Sequence, residues 1–231
     1  MGPCLVGPGR RGAVNVEREK QLACEAAAEL VEAGMTVGLG TGSTVAHLLP
    51  ALARRKLPIR CVATSPRTAE VARQLGLDVE RFASIDRLDI AIDGADQVDP
   101  EGWLIKGGGA AHTREKVVAA AADQFVVVAD STKAVDALRP PVPVELLQFG
   151  LTATLRALQP VVVRDVPASP DGGVIADFHG AIADPATVAG WLSAVPGVVE
   201  HGLFPPQLVA RVLIGRGESV EQRAVTGPDR H

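Results

Sequence analysis

Lys106 and Glu115 flank three consecutive glycines and are the side chains best suited to acid–base chemistry. A lysine at a strand end can stabilise a developing oxyanion, and a glutamate can remove a proton from carbon. Consecutive glycines are costly in unfolded-state entropy, so they indicate a need for close backbone approach. The alternative for Glu115 is a surface role, in which it pairs with the helix dipole or with Arg114 and Lys116. His112, in the same segment, is predicted to be a loop or packing residue.

A second acidic segment, Asp93-Gly94-Ala95-Asp96, follows a predicted strand. Two carboxylates on either side of a glycine can orient sugar hydroxyls, shuttle protons or bind a cation. Asp-Gly pairs are also common in Asx turns, and for this segment alone the turn is the favoured explanation.

Two further segments could bind an anion. Gly40-Thr41-Gly42-Ser43-Thr44 lies between a predicted strand and a predicted helix, where glycine backbone, helix N–H groups and hydroxyls can cradle a phosphate. The alternative is a tight turn with a hydroxyl cap. The segment is neither a Walker A loop nor a complete dinucleotide fingerprint. Asp130-Ser131-Thr132-Lys133 follows another strand, and Lys133 either reaches substrate or lies exposed on a helix-capping turn.

Taken together, the four segments supply anion donors, three carboxylates and two lysines. They contain no Ser/His/Asp set, and the chain lacks the Cys and His spacing of a structural zinc site. This inventory suits proton transfer at a carbon next to a carbonyl, on a phosphorylated polyol. Such a reaction needs a base for the C–H bond and positive charge for the enediolate.

The elements that must position these segments alternate between strand and helix. The predicted strands are residues 35–39, 59–63, 88–92 and 125–129; the predicted helices are residues 15 to 32 or 33, 44–52, 66–76 and 113–122. Pro50 is expected to bend or end the second helix. This alternation predicts an α/β fold with a mostly parallel sheet, whose ligands collect at the carboxyl ends of the strands.

The sequence changes in character after about Ala134, where a proline-rich stretch begins. A helix is predicted over residues 144–158 and another over 184–195, with strands at 161–164 and 174–178 and a last strand at 208–214 that rejoins the first sheet. The predicted organisation is a flexible arm (1–14), a Rossmann-like catalytic domain (15–134 plus 206–215), a smaller α+β domain inserted before the last strand (135–205) and a polar, frayed tail (216–231).

Composition excludes several classes of function. The net charge of −4 and the 3% aromatic content argue against a nucleic-acid or membrane-surface binder. No apolar run is long enough to span a bilayer, and the N-terminus does not have the pattern of a signal peptide. The three cysteines, Cys4, Cys24 and Cys61, favour a reduced cytoplasmic setting over a disulfide framework.

The sequence closely resembles the type A ribose-5-phosphate isomerases, over roughly residues 17–215. The resemblance is carried by GLGTGSTVAHLL (38–49), DGAD (93–96), KGGGAAHTREK (106–116), ADSTK (129–133), PVPVELL (141–147), DFHG (177–180) and PGVVEHGLF (196–204). The order and spacing of DGAD and KGGGAAHTREK are highly specific. The resemblance implies interconversion of D-ribose 5-phosphate and D-ribulose 5-phosphate in the non-oxidative pentose phosphate pathway. It also implies no metal, no organic cofactor and a homodimeric or homotetrameric assembly.

The same resemblance implies catalytic roles. Glu115 would carry the proton between C2 and C1 through an enediolate, and Lys106 with the glycine loop would polarise the oxygens. Asp93 and Asp96 would bind hydroxyls, and one of them would assist proton movement between oxygens. The residues expected to contact substrate are Lys20, Thr41, Gly42, Ser43, Thr44, Asp93, Gly94, Ala95, Asp96, Lys106, Gly107, Gly108, Gly109 and Lys133.

Two other functions compete with an isomerase. A sugar-phosphate sensor of the same broad fold would keep the phosphate loop but lose the base, whereas this sequence retains both Glu115 and Lys106. A nucleotide or acyl-CoA binder is disfavoured because the Walker and dinucleotide patterns are missing.

Overall fold

The computed structural model describes residues 15–225, and the predicted arm 1–14 lies outside them. Within this part of the chain the helices are α1 (Val16–Ala28), α2 (Val45–Arg55), α3 (Pro66–Gln74), α4 (His112–Ala121), α5 (Leu151–Ala157) and α6 (Pro185–Ala194). The strands are β1 (Thr36–Leu39), β2 (Arg60–Ala63), β3 (Asp78–Glu80), β4 (Leu88–Gly94), β5 (Gln97–Val98), β6 (Leu104–Ile105), β7 (Ala122–Asp130), β8 (Val142–Leu146), β9 (Val161–Val163), β10 (Val174–Phe178), β11 (Val198–His201), β12 (Leu203–Phe204), β13 (Arg211–Arg216) and β14 (Ser219–Ala224).

The principal sheet has seven strands in the order β14-β13-β7-β4-β1-β2-β3. All neighbouring pairs are parallel except the β13–β14 hairpin. The predicted α/β fold with a large, mostly parallel sheet is therefore confirmed. The last predicted strand does rejoin this sheet, as β13 beside β7.

Alternate side chains of the central strands enter two separate cores. Ile90 and Val126 pack in one core with α1, α2 and α3, while Ala91 and Val127 pack in the other with α4. Successive side chains of a strand point to opposite faces of the sheet. A sheet between two helical layers therefore needs strands that are apolar at nearly every position.

The remaining strands form two antiparallel sheets. One has four strands in the order β11-β8-β10-β9, and the other has three in the order β12-β6-β5. A third apolar core lies against the four-stranded sheet and includes Val142, Val144, Leu158 and Leu192. The three-stranded sheet joins β6, which leads into the glycine loop, to β12 from the far end of the chain.

Two predicted helices end differently from expectation. The first ends at Ala28, after which Leu30 N and Val31 N donate to the Ala27 and Ala28 carbonyls in tighter turns. Arg55 of α2 also donates to the carbonyl oxygens of Ala28 and Val31. The second continues through Pro50 to Arg55. Pro50 therefore does not end this helix: the proline removes one N–H, but buried leucines at positions 48, 49 and 52 hold the helix in place.

The predicted helix over residues 144–158 is confirmed only in its second half, as α5 (Leu151–Ala157), and was wrong for its first residues. Residues 142–146 form β8, every residue of which is buried, and α5 begins only after Gly150, whose φ is +71°. A short apolar run that is covered on both sides has no period that separates a strand from a helix.

The tail predicted to be frayed from residue 216 forms β14 as far as Ala224. Its backbone pairs with β13 over six residue pairs, from Arg211–Ala224 to Arg216–Ser219. Polar side chains are usual on such an edge strand, and they concealed it in the sequence.

Candidate active site

Three of the four chemistry-bearing segments meet at one edge of the principal sheet. β1 ends before Gly40, β4 ends at Gly94 and β7 ends at Asp130, and these three strands are parallel neighbours. The fourth segment, 106–116, arrives from β6 and closes the space above them. A cavity of about 270 Å³ results, lined by Thr41, Gly42, Ser43, Thr44, Gly94, Ala95, Asp96, Lys106, Gly107, Gly108, Gly109, Glu115 and Lys133.

The floor of this cavity is a buried cluster of one lysine and two carboxylates. Lys106 Nζ lies 2.9 Å from Asp93 Oδ2 and 3.1 Å from Glu115 Oε2, and the three side chains are only 3–4% exposed. Lys106 also donates to the Gly94 carbonyl. Glu115 is thus not a surface residue: its neighbours Arg114 and Lys116 pair instead with Asp171 and Glu200.

Asp93 lies beneath the cavity and is anchored by the backbone. Its Oδ1 accepts from Thr41 N at 3.1 Å and from Gly94 N at 2.7 Å. Gly40 permits this arrangement, because a Cβ there would stand 1.9 Å from Asp93 Cγ. A glycine is therefore required at position 40 for the loop after β1 to pack against the Asp93 carboxylate.

The cluster shifts the pKa values of its members. Burial and, to a lesser extent, the negative charge of Asp93 raise the pKa of Glu115 to about 8, and Lys106 partly opposes both. Burial likewise raises the pKa of Asp93, against the opposing charge of Lys106. Burial alone would lower the pKa of Lys106, but Asp93 and Glu115 together raise it, so the amine stays protonated. The site therefore pairs a fixed positive charge with a carboxyl group poised to exchange a proton near neutral pH.

The glycine loop, residues 107–109, forms one wall of the cavity. Gly107 has a φ of +109°, and a Cβ there would stand 2.8 Å from both His112 and Pro143. Gly108 N donates to Asp96 Oδ2 at 2.8 Å. His112 is fully buried against this loop, which confirms its prediction as a packing residue, and burial lowers its pKa to about 4.

Hydroxyls and a second lysine also line the cavity. The Ser43 and Thr44 segment leads into α2, and Lys133 lies on the turn after β7. Lys20, on α1, stands at the margin: its Nζ is 3.4 Å from Ser43 Oγ and 2.7 Å from Glu17 Oε1. Asp93 and Lys20 are the predicted contact residues that do not line the cavity itself.

Glu19 was not among the predicted site residues. It is 2% exposed, and its carboxylate accepts from Ser131 N at 2.9 Å and from Gly217 N at 2.7 Å. It therefore ties the turn that carries Lys133 to α1. A signal existed in the sequence, since Glu19 falls on the buried side of α1 with Ala23 and Ala27.

A larger cavity, of about 560 Å³, has Asp99, Trp103 and Arg223 among its lining, and none of the predicted site residues borders it. Residues 15–225 hold no group of three or more His, Cys, Asp or Glu side chains arranged to bind a metal ion. None of their helices has the length and apolar character needed to cross a bilayer.

Comparison with known proteins gives a consistent result. A family model for ribose 5-phosphate isomerase A (phosphoriboisomerase A) matches residues 60–219. The ribose-5-phosphate isomerase A of Caulobacter sp. (strain K31) is 43% identical over 222 residues, which cover 90% of this chain and 98% of that protein.

Solved structures agree. Ribose 5-phosphate isomerase A from Neisseria gonorrhoeae superposes with a TM-score of 0.87 at 31% identity, covering 93% of this chain and 100% of the other. A D-ribose-5-phosphate isomerase in complex with phospho-erythronic acid superposes with a TM-score of 0.85 at 34% identity, covering 91% and 99% of the two chains.

Proposed function

This chain belongs to the ribose-5-phosphate isomerase A family, and we propose that it interconverts D-ribose 5-phosphate and D-ribulose 5-phosphate with Glu115 as the base. The observation that carries this proposal is the contact of Lys106 with both Glu115 and Asp93 beside a cavity that is also lined by Ser43, Thr44 and Lys133. The base and the cation suit the carbonyl end of a phosphorylated sugar, and we assign its phosphate to the hydroxyls and Lys133.

The proposed reaction moves one proton between carbons and one between oxygens. Glu115 removes the proton from C2 of the open-chain aldose, and the C–H electrons form the double bond of an enediolate. Lys106 stabilises the negative charge on oxygen, and the backbone of the glycine loop contributes donors. Glu115 then returns its proton to C1, while Asp93 or Asp96 relays a proton between the two oxygens. The base needs a raised pKa to accept a proton from carbon, which the burial of Glu115 provides.

The proposal predicts a pH dependence. Glu115 accepts a proton only in its ionised form, so kcat/KM should rise with pH about tenfold per unit and level off near pH 8. Asp93→Asn removes a negative charge that raises the pKa of Glu115, so the midpoint should move to lower pH even if the maximal rate falls. The second pKa of a phosphomonoester is about 6. If the wild-type midpoint lies near that value and Asp93→Asn does not move it, the titrating group is the substrate phosphate and not Glu115.

The phosphate end predicts a different kinetic effect. Replacing Ser43 and Thr44 together by alanine removes two hydroxyl donors that we assign to the phosphate. KM for ribose 5-phosphate should rise, by about tenfold for each hydrogen bond to the charged phosphate, with little change in kcat. Thr132→Ala is a matched control, since its hydroxyl donates to Asp130 and does not line the cavity. A fall in kcat at constant KM would contradict the phosphate role.

The direct experiment is turnover of D-ribose 5-phosphate by the purified protein in EDTA, followed as ribulose 5-phosphate. We expect conversion that is lost in Glu115→Gln. Absence of conversion, with ribose 5-phosphate still raising the melting temperature, would instead favour the sugar-phosphate sensor.

The remaining features of the proposal concern organisation. We propose a catalytic domain of residues 15–134 and 206–215, extended by β14, and a smaller domain of residues 135–205.

We also propose a homodimer or homotetramer that works in the cytoplasm within the pentose phosphate pathway, with no metal or organic cofactor. The buried free thiols of Cys24 and Cys61, whose pKa values burial raises to about 12, are compatible with a reducing compartment. Light scattering of the purified protein would give the subunit number.

A further inference from the structure

Arg164 links the four-stranded sheet to the glycine loop. It follows β9, and its Nε and Nη2 donate to the two carboxylate oxygens of Asp177 at 2.7 and 2.6 Å. Its remaining nitrogen, Nη1, donates to the Gly107 carbonyl at 2.8 Å and lies 3.4 Å from the Gly108 carbonyl. The Arg164 and Asp177 side chains are only 17% and 20% exposed.

One peptide group is thereby held at both ends. The Gly107 carbonyl and the Gly108 N–H belong to the same plane and point in opposite directions. Arg164 holds the carbonyl, and Asp96 accepts from the N–H at 2.8 Å. Glycine backbone has unusual rotational freedom, and these residues have no side chains with which to restrict it. The guanidinium supplies that restriction from a distant part of the chain.

The guanidinium is itself rigidly mounted. Arg164 N donates to the Ile175 carbonyl at 2.9 Å, and Asp177 pairs with Val162 of β9 and with Pro143 of β8. A two-point arginine–aspartate contact fixes the plane of the guanidinium as well as its position. A lysine could reach one carbonyl but could not keep the paired contact with Asp177 at the same time.

We propose that Arg164, braced by Asp177, is a positioning residue that sets the orientation of the glycine loop during isomerisation. The inference rests on the proposed function. When Arg164 is lost, the Gly107–Gly108 peptide is free to rotate, and both Asp96 and the loop N–H groups leave their places at the reacting end. Proton removal from C2 should slow, whereas phosphate binding at Ser43 and Thr44 should change little.

The chain offers a matched control in Arg114 and Asp171. This pair also makes a two-point contact, at 2.7 and 2.8 Å, and it also joins the catalytic segment to the region after β9. In the part of the chain that the structure describes, the Arg114 guanidinium lies on Asp171 and not on the glycine loop. The pair is more exposed, at 39% and 48%. Losing it removes an ion pair between the same two regions without freeing the loop peptide.

The test compares Arg164→Gln, Arg164→Lys and Asp177→Asn with Arg114→Gln and Asp171→Asn. Each is assayed for kcat, KM, melting temperature and the primary isotope effect with ribose 5-phosphate deuterated at C2. Arg164→Gln should lose about 10–100-fold in kcat, because small misplacements at a reacting centre have effects of that size. KM should stay within a few-fold, the isotope effect on kcat should increase, and Arg164→Lys should not restore the rate. Asp177→Asn should fall between Arg164→Gln and wild type, and the two control variants should match wild type.

Two results would overturn the role of Arg164. One is a kcat for Arg164→Gln within twofold of Arg114→Gln. The other is a rate loss that follows the loss of folded protein with an unchanged isotope effect, which is what a purely structural residue produces. A wild-type protein without turnover would overturn the proposed function and this role with it, whereas wild-type turnover with an unaffected Arg164→Gln would overturn the role alone.

Discussion

Glu115→Gln is expected to lower kcat by about 10²–10⁴-fold, the usual contribution of a general base, while KM changes by a few-fold at most. The substitution keeps the size and shape of the side chain and removes only the group that accepts the C2 proton. Glu115 Oε2 lies 3.1 Å from Lys106, so an amide oxygen can still accept from the amine. A loss of less than tenfold would contradict the assignment of the base.

Stability separates this effect from misfolding. Burial and Asp93 disfavour the charged form of Glu115, so stability falls as pH rises from 4.5, where the unfolded carboxyl ionises, to about 8, and the full cost is present above that pH. Glu115→Gln should therefore melt no lower than wild type at pH 8 or above. Glu200→Gln is the matched control, since Glu200 is also a partly buried carboxylate that pairs with a lysine of α4, at 2.7 Å from Lys116 Nζ. It should retain wild-type turnover, and a loss equal to that of Glu115→Gln would mean that neither effect reports on the base.

Much of the site could be predicted because its segments follow parallel strands. The loops after β1, β4 and β7 were recognised in the sequence by their Gly, Asp and hydroxyl content, and parallel neighbours deliver their carboxyl ends to one edge. The direct contacts of Lys106 could not be obtained in this way. Lys106 follows a two-residue strand of a separate antiparallel sheet, and the sequence spacing between 106 and 115 contains no information about where that sheet sits.

The supporting residues were harder still to find. Arg164 reaches the glycine loop across 57 positions of the chain, from a short strand whose own residues look like an ordinary apolar run. Glu145 accepts from Thr113 of α4 and from Ser169, yet its segment was predicted to be helical. Contacts of this kind depend on how the four-stranded sheet packs against α4. That packing is set by whole surfaces and not by the local periodicity of the sequence.

Lys106→Met is expected to abolish most turnover and to destabilise the fold. Loss of one group that stabilises an oxyanion typically costs about 10²–10³-fold in kcat. Removing one member of a buried ion pair typically costs about 3–5 kcal/mol of unfolding free energy, because the remaining charge is left without compensation. Here two carboxyl groups would be left, each about 4% exposed, with a methionine that cannot donate to them.

The double variant Lys106→Met/Asp93→Asn separates the two consequences. Asparagine keeps an oxygen for the Thr41 and Gly94 N–H groups that now donate to Asp93 Oδ1, but carries no charge. The unfolding free energy, measured in urea, should therefore recover part of what Lys106→Met lost, while kcat should stay as low as in the single variant. Recovery of turnover along with stability would mean that Lys106 acts only by neutralising Asp93. Recovery of stability alone, with kcat well below that of the single variant Asp93→Asn, would indicate that the positive charge of Lys106 acts on the substrate, because the fold no longer needs it and the reaction still does.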